Sequence, residues 1–113
     1  MSELSTAHEA IGEVDVIAPL GRVSSATAKA FEEAVMPFAT KASPKLVFDL
    51  SGLDYISSAG LRVVLLAGKK VRASGGTLVL AALKPSIQDV FEISGFIGLF
   101  EVRDTRDAAI AAC

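Results

Sequence analysis

The stretch Lys45-Leu46-Val47-Phe48-Asp49-Leu50-Ser51-Gly52-Leu53-Asp54-Tyr55-Ile56-Ser57-Ser58-Ala59-Gly60-Leu61-Arg62-Val63-Val64-Leu65-Leu66 decides the fold. Leu46, Val47 and Phe48 form a short apolar run bounded by turn residues, the pattern of a buried strand. Ser51-Gly52-Leu53-Asp54 reads as a polar loop. From Ser58 onward, Leu61, Val64, Leu65, Gly68 and Val71 recur every three or four residues, with Arg62, Lys69, Lys70 and Arg72 between them. That is the period of an amphipathic helix. Strand, turn and helix together place Ser57 and Ser58 at a helix N-terminus, where free N–H groups accept a serine cap or an anion. Ser58 is the expected N-cap. Gly60 costs up to about 1 kcal/mol of helix propensity relative to alanine. Its presence therefore predicts a close approach of another molecule to the backbone. Gly60→Ala is expected to keep or slightly raise stability while impairing binding. On chemistry alone, an ordinary capped helix accounts for the same residues.

Before this stretch, Leu4–Ala10 reads as a strand, Ile11-Gly12-Glu13 as a turn, and Val14–Leu20 as a second strand. Pro19 predicts that this strand ends there or lies at a sheet edge. Gly21-Arg22-Val23-Ser24-Ser25 reads as a turn into a helix capped by Ser24 or Ser25. Ala26, Ala30, Phe31, Ala34 and Val35 supply its apolar face, and Pro37 is expected to end or kink it. After the central helix, Ala73-Ser74-Gly75-Gly76 is a stop and Thr77–Ala82 a buried strand. Lys84-Pro85-Ser86 opens another helix with apolar positions Ile87, Val90, Phe91 and Ile93. Leu99–Val102 reads as the last strand, and Thr105 caps a final helix, Arg106–Ala112. Alternating strand–helix units require parallel pairing with helices against the sheet, and the N-terminal hairpin adds an antiparallel element. The expected fold class is α/β, a mixed, mostly parallel sheet in one domain over 1–113. In such folds the binding site lies beyond the C-terminal strand ends, where Ser58 falls.

Composition narrows the function classes. The chain has 113 residues, 51% of them hydrophobic, with 11 basic and 13 acidic side chains and a net charge of −2. Mean hydropathy is +0.51. The balance argues against general nucleic-acid binding. No apolar run approaches the roughly 20 residues of a membrane span. The first residues lack the features of a signal peptide, so a cytoplasmic location is expected. Cys113, the one cysteine, reads as a free thiol. No Cys/His cluster suggests a metal site, and no cofactor is implied. The lone His8 lies far in sequence from Ser58, and Ser58 has no surrounding Gly-x-Ser-x-Gly, which argues against a serine hydrolase. Between Tyr55 and Gln88 no acid occurs, while Arg62, Lys69, Lys70, Arg72 and Lys84 do. This is either a solvated basic face or a docking face for an acidic partner surface.

The segment Leu50–Leu66 resembles the signature of STAS domains, as found in bacterial anti-sigma factor antagonists and in sulfate transporters. The antagonist pattern is a strand, a short loop, then Asp-Ser-Ser/Thr-Gly-Leu opening a helix. Here Ser58 falls on the serine that a partner kinase phosphorylates, with Ala59, Gly60 and Leu61 following. Ser57 stands where the Asp is usual, and Ser24 where a Gly-x-Leu-Asp turn carries its Asp. Phe91-Glu92-Ile93-Ser94-Gly95-Phe96 is similar to the family's stretch before the final strand. The resemblance implies a STAS fold and a binding module rather than an enzyme. Its implied partners are an anti-sigma factor that is also a serine protein kinase, and a serine phosphatase. It implies phosphorylation at Ser58, with Ser57 as the fallback. The expected partner surface comprises Ser24, Ser57, Ser58, Ala59, Gly60, Arg62, Lys69 and Arg72. The alternative is a constitutive, unphosphorylated STAS subunit of a transporter or signalling complex.

Overall fold

The computed structural model describes residues 3–113. The chain begins with a hairpin of β1 (Leu4–Ile11) and β2 (Val14–Val23), turned over Gly12 at φ +60°. Helix α1 (Ala28–Ala39) leads to β3 (Lys45–Asp49) and then to β4 (Leu53–Ile56). Helix α2 (Ser58–Ala73) precedes β5 (Thr77–Ala81), and α3 (Pro85–Ile93) follows. A 3-10 turn at Ile97–Leu99, strand β6 (Glu101–Arg103) and α4 (Arg106–Ala111) complete the described chain. The sheet runs β1-β2-β3-β5-β6, with β4 paired to β2. Among the described residues only β1–β2 is antiparallel; β2–β3, β2–β4, β3–β5 and β5–β6 are parallel. The expected mixed, mostly parallel sheet is thus observed.

The two faces of the sheet follow from side-chain alternation. Ile17, Leu46, Phe48 and Leu80 point to one face and pack beneath α1, α2 and α3 through Phe31, Val35, Val64 and Phe91. Val14, Val16, Val47, Val79 and Ala81 point to the other and meet Ala109 of α4. Asp49, buried at the end of β3, accepts from Ser51 N–H at 3.0 Å and from Arg106 Nε at 2.8 Å. Burial alone would push this carboxyl up, but those donors outweigh it and hold the pKa below the ordinary value.

Several local expectations are corrected. Ser51-Gly52-Leu53-Asp54 is not all loop, because Leu53 already belongs to β4. β2 does not end at Pro19 and is no edge strand, since it pairs on both sides. Its pairing to β3 stops at Ile17 and its pairing to β4 starts at Gly21. Gly21 N–H points to Gly52 C=O at 2.9 Å. By alternation, the ring nitrogen of Pro19 faces that same side, in the gap between the two partners, so no ladder bond is lost. The Gly21–Val23 segment is therefore strand, and α1 starts later than Ser24 or Ser25, at Ala28 behind Thr27. Ala30 is exposed rather than part of the apolar face of α1. Pro37 lies within the last turn of α1 without ending it; Thr40 closes the helix by donating N–H and Oγ1 to Met36 C=O. Ile93 is 87% exposed, not on the buried face of α3. The last strand is displaced from Leu99–Val102 to Glu101–Arg103 by the 3-10 turn.

Candidate functional site

The site forms where β2 and β4 end and α2 begins. Ser57 N–H donates to Val23 C=O at 2.8 Å, which fixes the turn against the end of β2. Ser57 has extended backbone, and its Oγ accepts from Gly60 N–H at 3.1 Å. Its carbonyl accepts from Leu61 N–H at 2.9 Å. Ser57 is therefore the N-cap, not Ser58 as the sequence suggested. The consequence for Ser58 is chemical freedom. It stands exposed at the first helical position, and among the described residues its hydroxyl has no hydrogen-bond partner.

Gly60 is buried, and its role differs from the expected one. A methyl group there would lie 2.7 Å from Val23 Cγ1 and 2.8 Å from Ile56 Cγ1. The close approach that requires glycine is made by this chain's own strands, β2 and β4. The first turn of α2 is thereby pressed onto the sheet ends, which presents Ser58 outward from a fixed base.

Ser24 follows Val23 and so lies alongside the same turn. It is half-buried and occupied locally: Oγ donates to Glu3 Oε2 at 3.1 Å and accepts from Ala26 N–H at 3.2 Å. Ala59 is half-buried against the core. Arg62, Lys69 and Arg72 are all exposed on α2. Lys70 and Arg72 fall in the last helical turn, where positive charge also complements the helix dipole.

Two adjoining hollows connect these residues, and the sequence did not disclose them. Ser58, Arg62, Leu65, Ser94 and Phe96 line one of about 330 Å³. Arg62, Lys69 and Arg72 border the other, about 390 Å³, whose apolar lining is Leu65, Leu66, Phe96 and Leu99. The shared residues Arg62, Leu65 and Phe96 make one groove along α2, walled on its far side by the segment after α3. Leu99 is 51% exposed in it. Ser24 lines neither hollow, so the structure groups Ser58 with the α2 cations and leaves Ser24 outside. The half-buried leucine pair Leu65-Leu66 on α2 was the available signal; its opposite wall comes from residues some thirty positions later.

Elsewhere several titratable groups are paired. His8 Nε2 meets Asp15 Oδ1 at 2.8 Å and stacks on Phe38 with ring centroids 4.1 Å apart. Lys41 Nζ reaches Asp15 Oδ2 at 2.8 Å. Cys113 is half-buried, and burial pushes its thiol pKa up. Among the described residues no His/Cys/Asp/Glu group is placed to hold a metal ion. No helix there is long and apolar enough to cross a membrane.

Comparison with known proteins gives a consistent result. The STAS domain family model matches residues 7–109. A Bordetella bronchiseptica protein named as an anti-sigma factor antagonist, BtrV, is 51% identical over 92 residues, covering 81% of this chain and 79% of the relative. The anti-sigma-B factor antagonist of Listeria monocytogenes is 31% identical over 86 residues, covering 76% of this chain and 75% of the relative. The crystal structure of an anti-sigma factor antagonist from Mycobacterium paratuberculosis superimposes with a TM-score of 0.87 at 27% identity, covering 96% of this chain and 92% of that one. With a family match over most of its length and relatives of 51% and 31% identity, the chain belongs to the STAS domain family.

Proposed function

We propose that this protein is an anti-sigma factor antagonist that binds an anti-sigma factor with serine kinase activity and is released from it by phosphorylation of Ser58. The observation that carries this reading is the exposed, unpartnered Ser58 hydroxyl at the head of a cation-lined groove. The names of the two relatives support the partner class. The surroundings of Ser58 favour a phosphoacceptor over a nucleophile. Among the described residues no His, Asp or Glu lines its hollow to act as a general base. Ser57 already supplies the cap, which leaves Ser58 free to be modified without loss of a helix contact.

The switch is a local charge event. Phosphate adds about −1.5 to −2 charges at a helix start, which its own fold tolerates because the helix dipole favours an anion there. In the complex the same group is buried against the partner. An uncompensated buried charge costs about 3–5 kcal/mol, or roughly two to four orders of magnitude in affinity. Removal of the phosphate by a serine phosphatase restores binding.

Calorimetry with the cognate anti-sigma factor, and mass spectrometry of the protein after incubation with that kinase and ATP, test the reading. Ser58→Asp is expected to weaken binding and Ser58→Ala to preserve it. Arg62→Glu is expected to weaken binding with an unchanged melting temperature, because Arg62 is exposed. Phosphate on another residue, or a Ser58→Asp variant that binds like wild type, overturns the switch. Tight binding with no phosphorylation at all would instead assign the protein as a constitutive STAS subunit, a reading that Ser24 and Ser57 in place of acids also accommodate.

A further inference from the structure

The geometry points to the groove between α2 and the Ser94–Leu99 segment as the seat of an acidic amphipathic helix of the partner. This deepens the binding reading above and rests on it. Three observations converge. The first is charge. Among the described residues Arg62, Lys69 and Arg72 have no acidic partner; Lys29 and Lys70 have none either but line neither hollow, whereas Arg22, Lys41, Lys45, Lys84, Arg103 and Arg106 each have one. No acid lines either hollow. The rim is thus a row of uncompensated cations that an acidic face would complement.

The second is apolar surface. Leu65, Leu66, Phe96 and Leu99 form the floor, and Leu99 remains 51% exposed. Exposed apolar surface rimmed by charge marks a docking site. The third is shape. From Ser58 to Arg72 the groove follows α2 for about 21 Å at 1.5 Å per residue, enough for roughly four turns of a second helix. Its walls are a helix and a 3-10 turn, with no free strand edge. An extended peptide would find no backbone ladder there, while a helix satisfies its own backbone and needs only side-chain contacts. The cations fall two turns and then one turn apart along α2, a spacing that acids on one flank of a partner helix can meet.

The arrangement also connects the groove to regulation. Arg62 and Ser58 are one helical turn apart and line the same hollow. Phosphate on Ser58 therefore adds negative charge at the mouth of the groove that receives the acidic helix.

Two experiments decide the proposal. In the first, the full-length protein is titrated with its cognate anti-sigma factor. Leu99→Asp is expected to weaken binding by about tenfold or more, from lost burial of one leucine. Lys69→Gln with Arg72→Gln is expected to flatten the salt dependence of binding. Photocrosslinking from position 99 is expected to capture an acidic helical segment of the anti-sigma factor. In the second, the isotopically labelled protein is titrated with a synthetic, covalently stapled 16-residue helix bearing leucines along one face and glutamates flanking them. Amide shifts are expected to be confined to α2 and the Ser94–Leu99 segment, and a version with lysine for glutamate is expected not to bind. Failure of the anti-sigma factor to bind wild type would refute the functional reading, and the peptide would still decide the groove. Shifts scattered elsewhere, equal binding of the lysine peptide, or a Leu99→Asp variant that binds the anti-sigma factor like wild type overturn the groove proposal.

Discussion

Replacing Gly60 with alanine sets two effects of opposite sign against each other. Alanine favours helix over glycine by up to about 1 kcal/mol. The added methyl, however, would stand 2.7 Å from Val23 Cγ1 and 2.8 Å from Ile56 Cγ1. Ordinary carbon contacts lie at about 3.5–4.0 Å. Neither neighbour can yield easily. Val23 is 0% and Ile56 4% exposed, and the two residues are register partners on parallel strands. Valine is also stiff at its first side-chain torsion. Overpacking of this kind costs about 1–3 kcal/mol. With two contacts under 3.0 Å the steric cost falls in the upper half of that range and outweighs the helix gain, leaving a net loss of about 1–2 kcal/mol. At roughly 4–8 °C per kcal/mol for a domain of about this size, that is a fall in melting temperature of at least about 4 °C and up to roughly 15 °C. Circular dichroism on heating and in urea reads it directly. The same substitution in a Val23→Ala background should cost less, because one of the two obstructing carbons is gone. A Gly60→Ala variant as stable as wild type, or more so, would refute the packing argument and restore the view that this glycine serves an outside molecule.

Two further outcomes follow from particular bonds. Ser57→Ala should destabilise by about 1 kcal/mol through loss of the N-cap, while Ser58→Ala should leave chemical denaturation midpoints unchanged. Asp49 should make stability depend on acid. Its folded pKa is held below the ordinary aspartate value, so the unfolded state binds the proton first as pH falls. The carboxylate contribution is complete above about pH 4–5 and is lost as pH drops through the folded pKa. Arg106→Gln, which removes the 2.8 Å donor, should lower stability at neutral pH and flatten the acid limb of urea midpoints measured against pH.

The fold was largely legible because its long elements carry strong periods. The α2 pattern from Leu61 to Val71, the hairpin turn at Gly12 and the Thr105 cap of α4, which accepts from Ala108 N–H at 3.1 Å, all stand where the sequence placed them. What escaped was decided by partners distant in sequence. β4 has four residues, only Leu53 and Ile56 of them buried, too few to display alternation. Pro19 reads as an edge signal unless one knows that β2 exchanges β3 for β4 beside it. Ser57 and Ser58 are equally good caps by residue type, and the Val23 carbonyl selects between them. Gly60 advertised a close approach, but the sequence could not say which atoms approach. The groove needed α2 and the Ser94–Leu99 segment side by side, an adjacency that no local pattern encodes.

The bond from Ser57 N–H to Val23 C=O has an implication for substrate recognition. Many kinases accept their target as an unstructured peptide threaded through an extended channel. Ser58 is not available in that form, because its preceding residue is tied to one strand and its following turn is wedged onto two. Freeing it as a peptide would require unravelling the head of α2. An enzyme that modifies Ser58 must therefore read a three-dimensional surface instead of a linear motif. A synthetic fragment spanning the turn would be a poor substrate for such an enzyme even with every flanking residue present, because the shape it must recognise exists only in the folded domain.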